Sequence, residues 1–315
     1  MTEAFRPAPP LRRARRIALV TATLDRHARD LLKAFAAQGA EAHAVELAEI
    51  GFDSEARHGL VLPQFGEDLP DAVCLRTLDA GSFEQVTRRL GILHALERLG
   101  VPVSNGPRAV ENCVDKSMTS FLLARAGVPS PRSFVVETRQ EAAAILKREG
   151  GPLVLKPLFG AQGKGLALIE READLPEPAA AAGVYYLQRF AGALRDGRFS
   201  DYRHLVSAGR VVAAMRREAP GWITNIKQGA TGHPIAPDAE LDALAAAAAR
   251  AVGADFCGVD LLRDPDGRAQ VIEVNSMPAW TGLEQATGLD IPAIRVRDLL
   301  ARLETTAPSA AIAAA

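Results

Sequence analysis

The sequence predicts an α/β fold that turns α+β in its C-terminal part, and two features predict it. From Ile17 to Ser104 short apolar runs alternate with segments of helical periodicity, the pattern of a parallel sheet with helices on its faces. Beyond Asp201, pairs of apolar strands are joined by turns at Ala208-Gly209 and Pro265-Asp266-Gly267, residues suited to tight reversals in antiparallel hairpins.

In order, Ile17 to Ala22 reads as a buried strand, and Asp25 to Gln38 as a helix closed by Gly39. The turn between them, Thr21 to Leu24, holds no glycine that would let a pyrophosphate approach, so a dinucleotide-binding motif is excluded there. A strand at Ala72 to Arg76, a helix from Phe83 to Leu99 and a strand at Val101 to Ser104 follow. Arg76 ends its strand where open α/β sheets hold ligands; it binds either an acidic substrate group or a neighbouring carboxylate. Asn112 to Gly127 reads as a helix that starts with Asp115-Lys116 and ends at Gly127, with Pro129 and Pro131 just beyond it as a linker. Strands are expected at Ser133 to Val136, Leu153 to Lys156 and Val184 to Phe190, then a hairpin of Asp201 to Val206 with Arg210 to Arg217. Taken as a plain two-residue hairpin, it places Asp201 opposite Arg216, with Arg203 on the same face. The Ala-rich stretch Asp238 to Val252 and the segment Pro292 to Leu303 complete the helices.

Chemistry concentrates in Gly258 to Gly282. Two strands carry Asp260, Glu273 and Asn275, and strand alternation puts Glu273 and Asn275 on one face with Val274 on the other. The turn brings Asp260 beside them, giving two carboxylates and an amide oxygen, hard ligands that suit Mg²⁺. A hairpin with solvated acids is the plainer alternative, disfavoured because both acids sit among Val, Leu and Ile. Trp280 follows this strand, either stacking on a flat ligand or capping the core. The second feature is Lys156 at the end of an apolar strand, followed by a loop with Gly160, Gly163 and Gly165. Its backbone N–H groups can cradle phosphate, and Lys156 reaches the same side or forms a structural salt bridge. Lys164 is followed by Gly165 rather than Ser or Thr, so this is no Walker loop.

With 48% hydrophobic and 24% charged residues, the composition is that of an ordinary globular protein. A net charge of −1 argues against general nucleic-acid affinity, and no apolar run reaches the length of a membrane span. Cys74, Cys113 and Cys257 lie far apart in apolar surroundings, as buried thiols of a cytoplasmic protein do.

Asp115-Lys116, the Lys156 strand with its Gly-rich loop, Asp201-Tyr202-Arg203, Gly258-Val259-Asp260 and Glu273-Val274-Asn275, in that order, resemble the ATP-grasp superfamily, most closely its RimK-type α-L-glutamate ligases. The resemblance runs from about Ile17 to Glu304. It implies an ATP-grasp fold: an N-terminal parallel α/β domain over 17–114, then central (115–190) and C-terminal (191–304) antiparallel-sheet subdomains. By composition, the Arg- and Pro-rich stretch 1–16 reads as a disordered tail, with a polybasic contact or transit peptide as the alternative, and the Ala-rich stretch 305–315 as a second tail. The resemblance also implies an activity, in which a carboxylate takes the γ-phosphate of ATP to give an acyl phosphate and an amine displaces phosphate to leave an amide.

Residue by residue, the resemblance implies that Lys116 and Lys156 hold ATP phosphates under a cover from Gly160 through Gln162 and Gly163 to Gly165. Gln188, Arg189 and Phe190 line the adenine, through backbone groups, and Asp201 lies near the ribose and phosphates. Asp260, Glu273 and Asn275 hold one or two Mg²⁺ ions, replaceable by Mn²⁺. Arg203, Arg216 or Arg217, and Asn225 surround the reacting groups. Ile223 and Lys227-Gln228 depart from the family pattern of an Arg two positions before the Asn and a following His-Arg pair, which bears on the acceptor pocket. The stretch Pro278 to Leu283 is similar to members that glutamylate a pterin such as tetrahydromethanopterin. The expected partners are an L-amino acid, glutamate, and a small-molecule carboxylate acceptor, with a homo-oligomer left open. A ligase acting on a protein C-terminus and a non-catalytic nucleotide-binding module are the alternatives.

Overall fold

The structure, a computed structural model, describes residues 13–160 and 163–306. Gln162 and most of both expected tails therefore lie outside the described residues. Strand β1 (Arg15–Val20), helix α1 (Arg26–Ala37), β2 (Ala40–Val45), the short ribbon β3 (Gly51–Phe52) and β4 (Leu60–Val61), β5 (Ala72–Leu75), α2 (Phe83–Arg98) and β6 (Val103–Ser104) form the first unit. Its sheet has the order β2-β1-β5-β6 and is parallel throughout. Asp25 caps α1 by accepting from the Ala28 N–H at 2.7 Å. β1 begins two residues before the expected start. The Arg16 N–H donates to Asp71, whose carboxylate also takes Arg13 and Arg15, so these basic residues are ordered pairs rather than tail.

The helix expected to start at Asp115-Lys116 is α4 (Lys116–Arg125), and a separate helix, α3 (Pro107–Val114), takes up the residues from Asn112 to Val114. Asp115 breaks them, because its backbone is extended (φ −85°, ψ 104°) and its side chain accepts from the Ser117 and Met118 N–H groups. The cap starts α4 at Lys116, buried at the head of the helix.

Strands β7 (Ser133–Val136), β8 (Leu153–Lys156), β9 (Ala167–Ile169) and β10 (Tyr185–Arg189), with helix α5 (Arg139–Glu149), make an antiparallel sheet of order β7-β10-β8-β9. The last unit holds β11 (Leu194–Arg195), β12 (Arg198–Ser207), β13 (Arg210–Ala219), β14 (Thr231–Pro234), α6 (Ala239–Val252), β15 (Phe256–Arg263), β16 (Ala269–Asn275), α7 (Thr281–Thr287) and α8 (Ile291–Thr306). Its antiparallel sheet runs β14-β13-β12-β15-β16, with β11 paired to β12.

The β12–β13 hairpin corrects one expectation. Its loop has two residues, but Val206 pairs with Val211 while Leu205 pairs with Ala213, so Val212 is an extra residue in a bulge. One added residue shifts every later partner by one. Asp201 therefore faces Arg217, and Arg216 faces Tyr202.

Leu31 and Phe35 of α1 share a buried cluster with Val296, Leu299 and Leu303 of α8, which returns the chain to the first unit. Trp280 lies in this cluster with no exposed surface. Its ring meets Phe256 edge-on at 5.8 Å and His27 at 4.3 Å, and the Arg76 guanidinium lies 5.3 Å from its centre. Trp280 is thus the core cap, and the expectation that it stacks on a ligand is withdrawn. Arg76 is buried too and donates to Asp25 at 3.0 Å, the neighbouring-carboxylate alternative. All three cysteines are free and buried, and no described helix is long and apolar enough to cross a membrane.

Candidate active site

β15 and β16 set two acids directly opposite each other: Asp260 pairs with Glu273 and Gly258 with Asn275. A bulge beside Asp260 breaks the ladder, since Leu261 pairs with Val271 and leaves Ile272 extra. Val274 enters the core, as alternation requires. Asp260, Glu273 and Ile272 line a cavity of about 920 Å³, counted with its open mouth.

Two lysines enter it from other elements. Lys156, at the end of β8, is buried, and its Nζ donates to the Ile272 carbonyl at 3.4 Å. Burial, reinforced by Lys116, lowers its pKa against the pull of Glu273 and Asp260. Lys116 Nζ donates to the Gly160 carbonyl at 2.9 Å and stands 3.6 Å from Glu273 Oε1. Lys116 thereby ties the start of α4 to the base of the glycine loop.

Gly163 and Gly165 have φ of +71° and +73°, a conformation that side chains rarely adopt. A Cβ on Gly163 would stand 2.5 Å from Asn225 Oδ1, so the loop tip closes directly on Asn225. At the other end, Arg189 Nε donates to Glu149 at 2.5 Å, while the Arg189 and Phe190 N–H groups donate to Arg132 and Pro152 carbonyls. Backbone contacts from this segment to a ligand therefore fall to its carbonyls or to residues beyond Phe190. Gln188 is buried and lines the cavity, its Nε2 donating to Ser133 Oγ at 3.2 Å.

The arginines form the third group. Arg203 grips both oxygens of Asp260, and Arg217 grips both oxygens of Asp201 while reaching Asp260 Oδ1 at 3.2 Å. Burial opposes ionisation of Asp260, and the two guanidinium groups outweigh it, holding the carboxyl below its usual range. Arg216 is not brought in. Because of the bulge it points to the other face of β13, where it pairs with Glu218 at 2.9 Å.

Among the described residues, no group of three His, Cys, Asp or Glu side chains could hold a metal unaided. Asp260 and Glu273 nonetheless fit Mg²⁺: two facing carboxylates beside a phosphate-sized set of cations leave remaining positions for phosphate oxygens, as that ion prefers. Asn275, on the same face, has a buried amide nitrogen without a hydrogen-bond partner, so its amide is open to reorientation.

Sequence reasoning missed the aromatic wall. The Phe190 ring meets Phe199 and Trp222 edge-on, each at 6.1 Å, and Val154 and Leu262 extend the apolar lining. Thr224, next to Asn225, hydrogen-bonds Asp201 and anchors the loop that carries both. Phe199 and Trp222 come from the start of β12 and a loop, where no periodicity marks a cavity.

A family profile described as a RimK-like ATP-grasp domain matches residues 113–299, more than half the chain. The chain belongs to the RimK-like ATP-grasp family. It is 34% identical over 234 residues to a tetrahydromethanopterin:alpha-L-glutamate ligase of Methanococcus maripaludis, covering 72% of this chain and 79% of that one. It is 32% identical over 273 residues to a probable alpha-L-glutamate ligase of Teredinibacter turnerae, covering 84% and 87%. Among solved structures, the ATP-grasp ligase PsnB with minimal precursor, Mg and ADP superposes with a TM-score of 0.71 at 22% identity, covering 91% of this chain and 97% of that one. The D-cycloserine synthetase DcsG does so at 0.63 and 22%, covering 91% and 99%. These neighbours share the ATP-grasp fold, which is the α/β fold with antiparallel sheets described above. As a RimK-like ATP-grasp protein the chain is an ATP-dependent ligase.

Proposed function

We propose that this RimK-like ligase adds L-glutamate to a small carboxylate acceptor of pterin type, through an acyl phosphate. The observation that carries the reading is the convergence of Lys116, Lys156, Asp260 and Glu273, from four elements, in one cavity beside a closing glycine loop. Lys116 and Lys156 hold the phosphates of ATP, and Gly160 to Gly165 covers them. The Phe190, Phe199 and Trp222 wall with Val154 and Leu262 takes the flat base. Asp260 and Glu273, with Asn275, hold Mg²⁺, which when bound neutralises charge on the transferring phosphoryl group.

The remaining residues act on the acceptor. Arg203 and Arg217 steer its carboxylate toward the γ-phosphate and balance the charge that develops there, and Asn225 orients it beneath the loop tip. Closure of that loop on Asn225 keeps water from the acyl phosphate until the glutamate amine attacks. No side-chain nucleophile is required. The choice of glutamate and of a pterin-type acceptor rests on the relatives' names and on the Pro278 to Leu283 stretch.

The test is ADP release by purified protein with ATP, Mg²⁺, L-glutamate and a panel of acceptors, followed by product masses. The reading requires release that depends on both L-glutamate and a small pterin-type carboxylate, with a product one glutamyl residue heavier. Release with a ribosomal protein tail alone would move the acceptor to a protein, and none under any condition would leave a nucleotide-binding module.

A further inference from the structure

We infer that Asn105, a residue of the N-terminal unit, is a positioning residue that clips the open end of the β15–β16 hairpin and so sets the geometry of Asp260, Glu273 and Asn275. The inference rests on the reading of that hairpin as a metal-holding element. Asn105 follows β6 and has no exposed surface. Its Nδ2 donates to the Phe256 carbonyl at 2.7 Å and to the Ser276 carbonyl at 2.6 Å. Its Oδ1 accepts from the Asp255 N–H at 2.7 Å and the Phe256 N–H at 2.8 Å. A primary amide has two donor hydrogens and two acceptor lone pairs, so every hydrogen-bonding position of this side chain is used.

The four groups it serves share one place in the fold. The ladder between β15 and β16 ends with Gly258 opposite Asn275. Phe256 lies two residues before that last rung and Ser276 one residue beyond it, so the Asn105 amide bridges the strands where their own hydrogen bonds stop. At the opposite end they are joined covalently through the turn at 265–267. The acids lie between these two fixed points, Asn275 adjacent to Ser276 and Asp260 four residues from Phe256. Asn105 bonds no ligand side chain; it holds the backbone that carries the ligands, and so acts on their placement through the two strands.

Other side chains fail for stated reasons. Aspartate keeps the acceptors but sets a carboxylate against two carbonyl oxygens. Serine is too short to span both strands. Asn112 offers a comparison within the same chain, because it also crosses between units, donating to the Val252 carbonyl at 3.1 Å at the end of α6 rather than to either hairpin strand.

The experiment uses full-length wild-type protein, Asn105→Ser, Asn105→Asp and Asn112→Ala. It measures Mn²⁺ affinity by electron paramagnetic resonance with a non-hydrolysable ATP analogue, beside the thermal midpoint and the KM and kcat for ATP. The Asn105 variants should weaken Mn²⁺ by about 10-fold, the lower end of the range for losing a group bonded directly to a metal ligand, while Asn112→Ala lowers the midpoint and leaves Mn²⁺ affinity unchanged. A folded Asn105→Ser with wild-type Mn²⁺ affinity would reduce Asn105 to glue between units. A readout on the wild type covers variants that do not fold. Because coupling is reciprocal, adding Mn²⁺ with the analogue must slow amide exchange at Asp255 and Phe256, and unchanged exchange there overturns the inference. Wild-type protein that binds neither analogue nor Mn²⁺ overturns the ATP reading along with it.

Discussion

Glu273→Gln and Asp260→Asn remove one charge each from the same rung of the β15–β16 ladder, yet they differ in cost to the fold. Glu273 is partly exposed and 3.6 Å from Lys116, whereas Asp260 is buried under Arg203 and Arg217. Both changes should cut turnover by on the order of 10²-fold or more, as loss of a charge-stabilising group does, measured as kcat at saturating Mg²⁺. Only Asp260→Asn should also lower the thermal midpoint, because it leaves two buried guanidinium groups with one fewer counter-charge. A pH effect arises at His27, buried against Trp280, where burial first and then the Arg76 charge lower the imidazole pKa to about 4, against the raising influence of Asp25 and Asp30. An unfolded histidine binds its proton near pH 6.5, so stability is intact above that value and is lost as pH falls toward 4. His27→Gln should remove a slope of up to about 1.4 kcal/mol per pH unit in that window, read from denaturant melts. At this scale the acids and Lys156 were legible because a charge in an apolar run is costly without a purpose. Trp280 was not, because an indole after a strand suits a core as well as a ligand. The choice of Arg217 over Arg216 hung on one bulged residue, Val212, in a stretch of small apolar residues that carries no sign of a bulge.

The glycine loop shows what an element adds to its residues. Gly163 combines a φ of +71° with a Cβ position only 2.5 Å from Asn225 Oδ1, so Gly163→Ala both strains the backbone and pushes the loop tip off Asn225. The expected outcome is a lowered kcat with a rise in ATP hydrolysis uncoupled from product, measured as the ratio of phosphate released to amide formed. Coupled turnover at the wild-type rate would remove the closing role from this loop. The loop was legible from its glycines, whereas its docking partner was not, because Asn225 lies about sixty residues away and only the fold joins them. Helix existence was similarly readable where periodicity was strong, as in α1, or where Ala predominates, as in α6. β2 escaped notice because Ala-Glu-Ala-His-Ala-Val offers little apolar contrast, and Asp115 divided α3 from α4 because a capping side chain competed with helix continuation.

At the scale of the molecule, α8 and Trp280 bind the last unit to the first, and the cleft between the antiparallel sheets depends on that docking only indirectly. Trp280→Ala should therefore cost about 3–5 kcal/mol of stability, as loss of a buried aromatic does, while KM for the acceptor stays close to wild type. A large KM change with little loss of stability would return Trp280 to the ligand. The order of units was legible because each motif kept its place along the chain; the way they pack was not, since Arg76, Trp280 and Asn105 find their partners only in three dimensions. The central claim is chemical: phosphate leaves carrying an oxygen of the acceptor carboxylate. It is tested most directly by labelling that carboxylate with heavy oxygen and weighing the inorganic phosphate formed during turnover with ATP and L-glutamate. Passage through an acyl phosphate predicts one labelled oxygen in each phosphate released, and unlabelled phosphate alongside amide product would contradict it.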